Sequence, residues 1–158
     1  MLKFEPVKKY EEGIIFSLLS QSWKKLWNDE LEEKIKQFDQ EVFKNPDTVG
    51  VCVFISTLNG KPIGMASWDP RQWPELGIIG YNCILPKFQD KGFGKAQINE
   101  VLERLKRGGF KRAFVKTGEH PFFSSAQKTY TACGFKEIKR HPTGDQPGYG
   151  TIDYEIEL

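Results

Sequence analysis

Residues 84–95 read Ile-Leu-Pro-Lys-Phe-Gln-Asp-Lys-Gly-Phe-Gly-Lys, a β-like apolar run that gives way to two glycines one residue apart and then to an amphipathic helix. This junction constrains the chain more than any other stretch. Glycines at such a point let the backbone fold closely around a bound group. The helix behind them offers N–H donors without intrahelical partners, together with the positive end of its dipole. Together these suit phosphate oxygens, so a phosphate-bearing cofactor is expected. On the glycines alone, a turn with no ligand remains open.

Two familiar nucleotide motifs do not fit. A P-loop needs G-x-x-x-x-G-K-[ST], but Gly94-Lys95 is followed by Ala96, and no glycine stands at the required upstream position. A dinucleotide fingerprint needs a third glycine where this chain has Gln97.

The flanking periodicity predicts an α/β domain. Leu2–Val7 reads as a first strand, and Ile14, Ile15, Leu18 and Leu19 recur at helical spacing. A second helix opens at Asn28 or Asp29, with Leu31, Ile35, Phe38 and Val42 on one face, and ends at Asn45-Pro46-Asp47. Val49–Thr57 and Pro62–Trp68 are predicted strands joined by an Asn59-Gly60 hairpin turn. A turn-rich segment from Asp69 to Pro74 leads to a central strand, Leu76–Leu85. The helix after the glycines carries Ile98, Val101, Leu102 and Leu105 as a core-facing stripe and ends at Gly108-Gly109. Then come a strand over Arg112–Lys116, a helix over Ser124–Ala132, a strand over Phe135–Arg140 and a final strand over Thr151–Leu158. In that last strand Ile152, Tyr154, Ile156 and Leu158 share a face.

At 158 residues, with 39% hydrophobic and 28% charged residues, the chain is expected to form one soluble domain over 1–158. A net charge of +2, with Lys and Arg dispersed, argues against a nucleic-acid partner. No run approaches the roughly 18 apolar residues of a membrane span, and the N-terminus lacks a signal-peptide core. Cys52, Cys83 and Cys133 are odd in number and lie in apolar contexts, which favours free thiols in a reducing, cytoplasmic setting. With only His120 and His141 as histidines, no metal site is expected.

The run Ile84-x-Pro86-x-Phe88-Gln89-x-x-Gly92-x-Gly94 resembles the acetyl-CoA signature of the GCN5-related N-acetyltransferases, the GNAT superfamily. Downstream, Ala126-x-x-x-Tyr130-x-x-x-Gly134-Phe135 resembles its second block, a helix ending in Gly-Phe. The resemblance implies a mixed, mostly antiparallel sheet whose central fourth and fifth strands splay apart around acetyl-CoA, with flanking helices. It implies an N-acetyltransferase that moves acetyl from acetyl-CoA, a cosubstrate, to a primary amine of a small molecule or peptide. The attack would be direct, in a ternary complex. The alternative is a non-catalytic module of the same fold that binds or senses acyl-CoA. Dimers are frequent in the family, so a homodimer is a further expectation.

Carried over residue by residue, the resemblance implies that backbone N–H groups of Gln89, Asp90, Lys91, Gly92, Phe93, Gly94 and Lys95 hold the pyrophosphate. Lys91 and Lys95 either add charge or are solvated surface lysines. Cys83, Ile84 and Leu85 would run beside the pantetheine arm, the N–H of Ile84 polarising the thioester carbonyl. Tyr130 matches the tyrosine that protonates the leaving thiolate.

There are departures. Glutamine at 89 replaces a frequent arginine, Asp90 replaces a frequent glycine, and Phe123 stands where an asparagine is common, seven residues before Tyr130. Ser124 or Ser125 would substitute for that asparagine, Ser125 thereby touching the cofactor. The fourth strand has no carboxylate over Gly77–Asn82, so Glu119, His120 or the more distant Glu75 are the candidate bases, with Glu119 first. On the acceptor side stand Trp23, Trp27, Trp68, Asp69, Arg71, Trp73 and Tyr149. Indoles there either meet the substrate or fill the core.

Overall fold

The chain forms seven strands and four α-helices: β1 (Leu2–Pro6), α1 (Ile14–Ser22), α2 (Asp29–Lys44), β2 (Val53–Leu58), β3 (Lys61–Gln72), β4 (Leu76–Ile84), α3 (Phe93–Arg107), β5 (Arg112–Gly118), α4 (Ser124–Ala132), β6 (Lys136–His141) and β7 (Thr151–Glu157). The computed structural model describes all residues, Met1–Leu158. The strands make one mixed sheet in the order β1-β2-β3-β4-β5-β7-β6. β4 and β5 run parallel, as a crossover through α3 requires, and the pairs β1/β2, β2/β3, β5/β7 and β6/β7 are antiparallel. This is the expected mixed, mostly antiparallel α/β fold. The chain divides into two compact units, one of Met1–Ser67 with Tyr81–Gln97, the other of Trp68–Gly80 with Ile98–Leu158.

In the first unit, Val7, Ile15, Leu18, Leu19, Ile35, Val42, Val53, Ile55, Met65 and Cys83 form the buried core. Asn28 caps α2, its side-chain oxygen accepting the N–H of Leu31 at 2.8 Å, while Asp29, Glu30 and Glu32 complement the positive helix end. α1 has no side-chain cap from its own flank. Asp39 of α2, only 2% exposed, supplies one by accepting the N–H groups of Gly13 (2.8 Å) and Phe16 (2.9 Å). The Asn59-Gly60 turn is as expected, with both residues at positive φ (52° and 82°).

Two strand boundaries differ from the periodicity by four residues each. β2 begins at Val53 rather than Val49, because residues 50–52 form a 3₁₀ turn. Gly50 N–H reaches back to Asn45 O at 3.0 Å, and a Cβ at Gly50 would press to 3.3 Å on Val42 O and Val7. β3 continues past Trp68 to Gln72, and the turn falls at residues 73–75. Proline's fixed φ suits an extended backbone, so Pro70 does not end the strand.

In the second unit, Ile98, Val101, Leu102 and Leu105 are all buried, as their spacing predicts. Gly77 of β4 admits this face, since a Cβ there would come within 2.7 Å of Leu105. α3 ends in a left-handed Gly109 (φ +83°), and Phe110 N–H closes on Leu105 O at 3.1 Å. β5 pairs with β7 over seven register positions, from Arg112↔Glu157 to Gly118↔Thr151. Its parallel ladder with β4 has three, Leu76↔Arg112 to Ile78↔Phe114. β6 begins at Lys136, one residue later than its apolar start suggested, because Phe135 is drawn into the core behind a positive-φ Gly134.

Candidate functional site

The strand–loop–helix junction lies in the first unit. Leu85 N–H donates to Ile63 O at 2.7 Å. Strand alternation therefore turns the N–H and C=O of Ile84 to the other edge of β4. The Ile84 carbonyl is taken by the side-chain amide of Gln89 at 2.9 Å, and the Ile84 N–H points to the same edge. Gln89 thus ties the loop back on the strand that precedes it. A 3₁₀ turn over Pro86–Phe88 follows, and then two left-handed residues, Asp90 (φ +60°) and Gly92 (φ +86°), bring the chain into α3.

The first intrahelical bond of α3 runs from Ala96 N–H to Gly92 O at 3.1 Å, so the N–H groups of Phe93 and Gly94 precede the ladder. A Cβ at Gly92 would meet no protein atom within 4 Å. Glycine is there for its backbone angle, and the space above it is open. Asp90 is left-handed too, and aspartate is one of the few side chains that tolerate such a backbone.

Gln97 anchors the helix, and the sequence reading missed it. It is 1% exposed; its Oε1 accepts from Ser56 Oγ at 2.6 Å, and its Nε2 donates to Met65 O (3.0 Å) and Cys83 O (3.2 Å). One amide therefore binds α3 to β2, β3 and β4. Gly64 makes room, since a Cβ there would collide with Cys83 O and lie 3.0 Å from Gln97 Oε1. The available signal was its place four residues before Val101, on the rim of the buried stripe. Cys83 lies beneath, 6% exposed, and burial pushes its thiol up to about 12 against the hydrogen bonds of Ser22 and the Met65 backbone. Such a thiol is a poor nucleophile.

The second unit holds the other predicted residues around the C-terminal end of β5. Tyr130 of α4 is 4% exposed, with its ring 5.8 Å from Phe135 and 6.1 Å from Tyr154. Gln127 fixes α4 on β5, its amide donating to Gly118 O at 2.9 Å. Phe123 packs on the same glycine, where a Cβ would stand 2.7 Å from the ring, and meets Phe122 edge-on at 5.1 Å. It fills space where a hydrogen-bonding asparagine was the alternative, although both phenylalanines are half-buried rather than core. Ser124 and Ser125 are exposed in the first turn of α4.

Glu119 follows β5 directly. Its N–H donates to Gly150 O at 2.9 Å, and its carboxylate lies 3.6 Å from Arg140. His120 accepts the N–H of Phe122 on Nδ1 at 3.1 Å and packs edge-on against Tyr149 at 4.8 Å. That lone pair is thereby occupied. Glu75 is at the opposite end of β5: it pairs with Lys111 at 2.8 Å, which holds its carboxyl below the usual range. Seven strand residues, about 23 Å, separate it from Glu119. Nearby in the fold, but not in the predicted set, His141 Nε2 meets Asp153 Oδ2 at 2.8 Å.

Among the acceptor-side residues, Trp23 packs on Tyr81 at 5.8 Å, beside Phe38 at 5.2 Å from the same ring, and Trp27 packs on Phe16 at 5.7 Å while donating to Glu32. These rings border the core of the first unit. Trp68 is half-buried. Asp69 is engaged by Arg71 through Nε (3.0 Å) and Nη2 (2.7 Å), which lowers its carboxyl pKa. Trp73 is 61% exposed and donates to Gly108 O at 3.0 Å, closing the end of α3. No helix is long and apolar enough to cross a membrane.

Comparison with known proteins agrees with this architecture. No curated protein matches the chain in sequence. Among solved structures, a GNAT-family protein from Desulfovibrio desulfuricans superposes with a TM-score of 0.81 at 15% identity, covering 99% of this chain and 98% of the other. The ribosomal-protein-S18-alanine N-acetyltransferase of Escherichia coli gives 0.73 at 16% identity, covering 99% and 94%. An aminoglycoside 6'-N-acetyltransferase complexed with coenzyme A gives 0.75 at 12% identity, covering 99% and 96%. At these identities the likeness is one of fold. The sequence model of the acetyltransferase (GNAT) family matches residues 14–135, most of the chain, and the protein belongs to that family.

Proposed function

We propose that this protein transfers the acetyl group of acetyl-CoA to a primary amine of a small molecule or peptide, by direct attack within a ternary complex. The observation that carries the reading is the Ile84–Gln97 junction. Left-handed Asp90 and Gly92 lead into unladdered helix N–H groups, with Gln89 and Gln97 fixing both sides of the turn. Such a frame is complementary to a pyrophosphate, each charge-assisted contact contributing about 0.3–1 kcal/mol. Backbone groups from Gln89 to Lys95 hold the phosphates, and Cys83–Leu85 lie along the pantetheine. Ser125, exposed in the first turn of α4, adds a hydroxyl contact to the cofactor.

Chemistry is divided among few groups. Ile84 N–H, on the edge of β4 turned away from β3, donates to the thioester carbonyl and stabilises the oxyanion that forms on it. Tyr130 donates its hydroxyl proton to the departing thiolate. Glu119, first among the candidate bases, takes the proton of the incoming ammonium directly or through a water chain. The raised Cys83 thiol supports attack by the amine itself, without an acyl-enzyme.

The test is thiol release from acetyl-CoA against amines grouped by class: polyamines, amino sugars, amino acids and N-terminal peptides. Turnover with one class supports transfer. Tight acetyl-CoA binding without turnover on any class supports the alternative, a binding or sensing module, for which the lack of a carboxylate over residues 77–82 speaks.

A further inference from the structure

We propose that Arg140 is a positioning residue that holds the Glu119 carboxylate for proton transfer from the acceptor; this rests on the transferase reading above, in which Glu119 is the base. Arg140 belongs to β6, the edge strand of the sheet, and its side chain is 58% exposed. Its Nη1 stands 3.6 Å from Glu119 Oε2, and its Nε donates to Glu137 Oε1. The guanidinium is thus fixed by its own strand and directed at the residue that follows β5.

The register of β6 supplies a second, independent observation. Glu137 stands opposite Tyr154, and Arg140 opposite Ile152. Those two residues of β7 share a face of the sheet, and Tyr130 packs on it with its ring 6.1 Å from Tyr154. Residues three apart on a regular strand point to opposite faces. Glu137 and Arg140 nevertheless share one, because the ladder shifts between Glu137 and Lys139 and leaves Ile138 outside the register, 54% exposed. An extra residue of this kind re-aims the side chains beyond it. Without it Lys139 would stand opposite Ile152, and Arg140 would turn to the other face.

Stability does not explain the arrangement, since so exposed an ion pair contributes little to it. The geometry suits proton transfer instead. Arg140 faces Oε2, while Oε1 lies 3.0 Å from the place of a Gly150 Cβ, so the missing side chain leaves that oxygen open to an ammonium. The Glu119 N–H bond to Gly150 O at 2.9 Å fixes the main chain at the same point. A guanidinium alone would favour the charged carboxylate and so weaken it as a base. Glu137, on another edge of the same guanidinium, offsets this and leaves the three groups with one net negative charge. The titratable groups that act on Arg140 are Glu137 of its own strand, Glu119 and Tyr154 of β7. Oε1 takes one proton from the ammonium and passes it to solvent, and Arg140 exchanges none.

The test measures thiol release from acetyl-CoA with an alkylamine that the wild type turns over, at about pH 7 and about pH 9.5, for wild type, Arg140→Gln and Glu119→Gln. At the higher pH far more of the amine is already neutral and needs no base. At the lower pH, Glu119→Gln should lose about 10²-fold in kcat/KM and Arg140→Gln about 10-fold, and both deficits should narrow at the higher pH. Acetyl-CoA affinity and melting temperature should stay at the wild-type values. A pH-dependent loss in Glu119→Gln with none in Arg140→Gln, or an Arg140→Gln deficit equal at both pH values, overturns the role of Arg140 alone. Glu119→Gln at wild-type rates, or with a loss that does not change with pH, overturns Glu119 as the base and this role with it. A wild type that binds acetyl-CoA yet releases no thiol with any amine overturns the transferase reading itself.

Discussion

The Ile84–Gln97 junction and the Glu119–Asp153 end of the molecule are built from different materials. The first is a backbone device, with two left-handed residues, a helix start and two glutamine amides that pin main-chain carbonyls. The second is a side-chain device in which Tyr130 packs on Phe135 and Tyr154 and Glu119 lies 3.6 Å from Arg140, beside a β6/β7 ladder that is itself irregular. A backbone site tolerates changes of side chain but not of φ. A side-chain site has the opposite tolerance. Substitutions in the two regions should therefore fail in different ways.

The largest expected effect is at Gly92. Gly92→Glu should abolish acetyl-CoA binding measured by calorimetry while the circular dichroism spectrum is retained. The new Cβ meets no protein atom, and the φ of +86° costs only about 1–2 kcal/mol. Unchanged affinity would remove the loop from the cofactor site. Next comes Gln97→Leu, which strands Ser56 Oγ and takes a donor from two buried carbonyls. It should lower unfolding stability by about 2–3 kcal/mol in urea titrations and weaken acetyl-CoA binding as well. A loss of stability with affinity intact would separate the helix anchor from the site.

On the side-chain region, Tyr130→Phe should reduce kcat about 10- to 100-fold, 1.4–2.7 kcal/mol, with little change in acetyl-CoA affinity. Equal turnover would leave Tyr130 as packing against Phe135 and Tyr154. The smallest effect is at Asp90. Glycine at a φ of +60° relieves about 1 kcal/mol of backbone strain and removes a negative charge beside the phosphates. Asp90→Gly should thus raise the melting temperature slightly and tighten acetyl-CoA binding. Weaker binding would mean that Asp90 contacts the ligand favourably.

The same division explains what could be read before the structure. Local signals are visible because neighbours in sequence produce them. The Asn28 cap, the Asn59-Gly60 turn, the Ile98–Leu105 stripe and the bounds of α4 are of this kind. So is the Gly92 loop. What stayed hidden depends on partners remote in sequence. Asp39 caps a helix whose N-terminus is 26 residues away, and Gln97 meets Ser56 across 41. The need for glycine at 50 comes from its closeness to Val7 and Val42. Asp153 and His141 pair through a strand register that an irregularity between Glu137 and Lys139 shifts by one residue. Polar residues within apolar stripes, Asp39 and Gln97 among them, were the one trace these contacts left in the sequence.

The central claim is that the junction holds acetyl-CoA so that an amine can take its acetyl group. Mass spectrometry of the amine panel after incubation with acetyl-CoA, with and without the protein, tests this most directly. The account predicts one class of amine carrying a single acetyl group, formed only with the wild type and not with Gly92→Glu. Acetyl-CoA bound by the wild type, with every amine recovered unmodified, would contradict it.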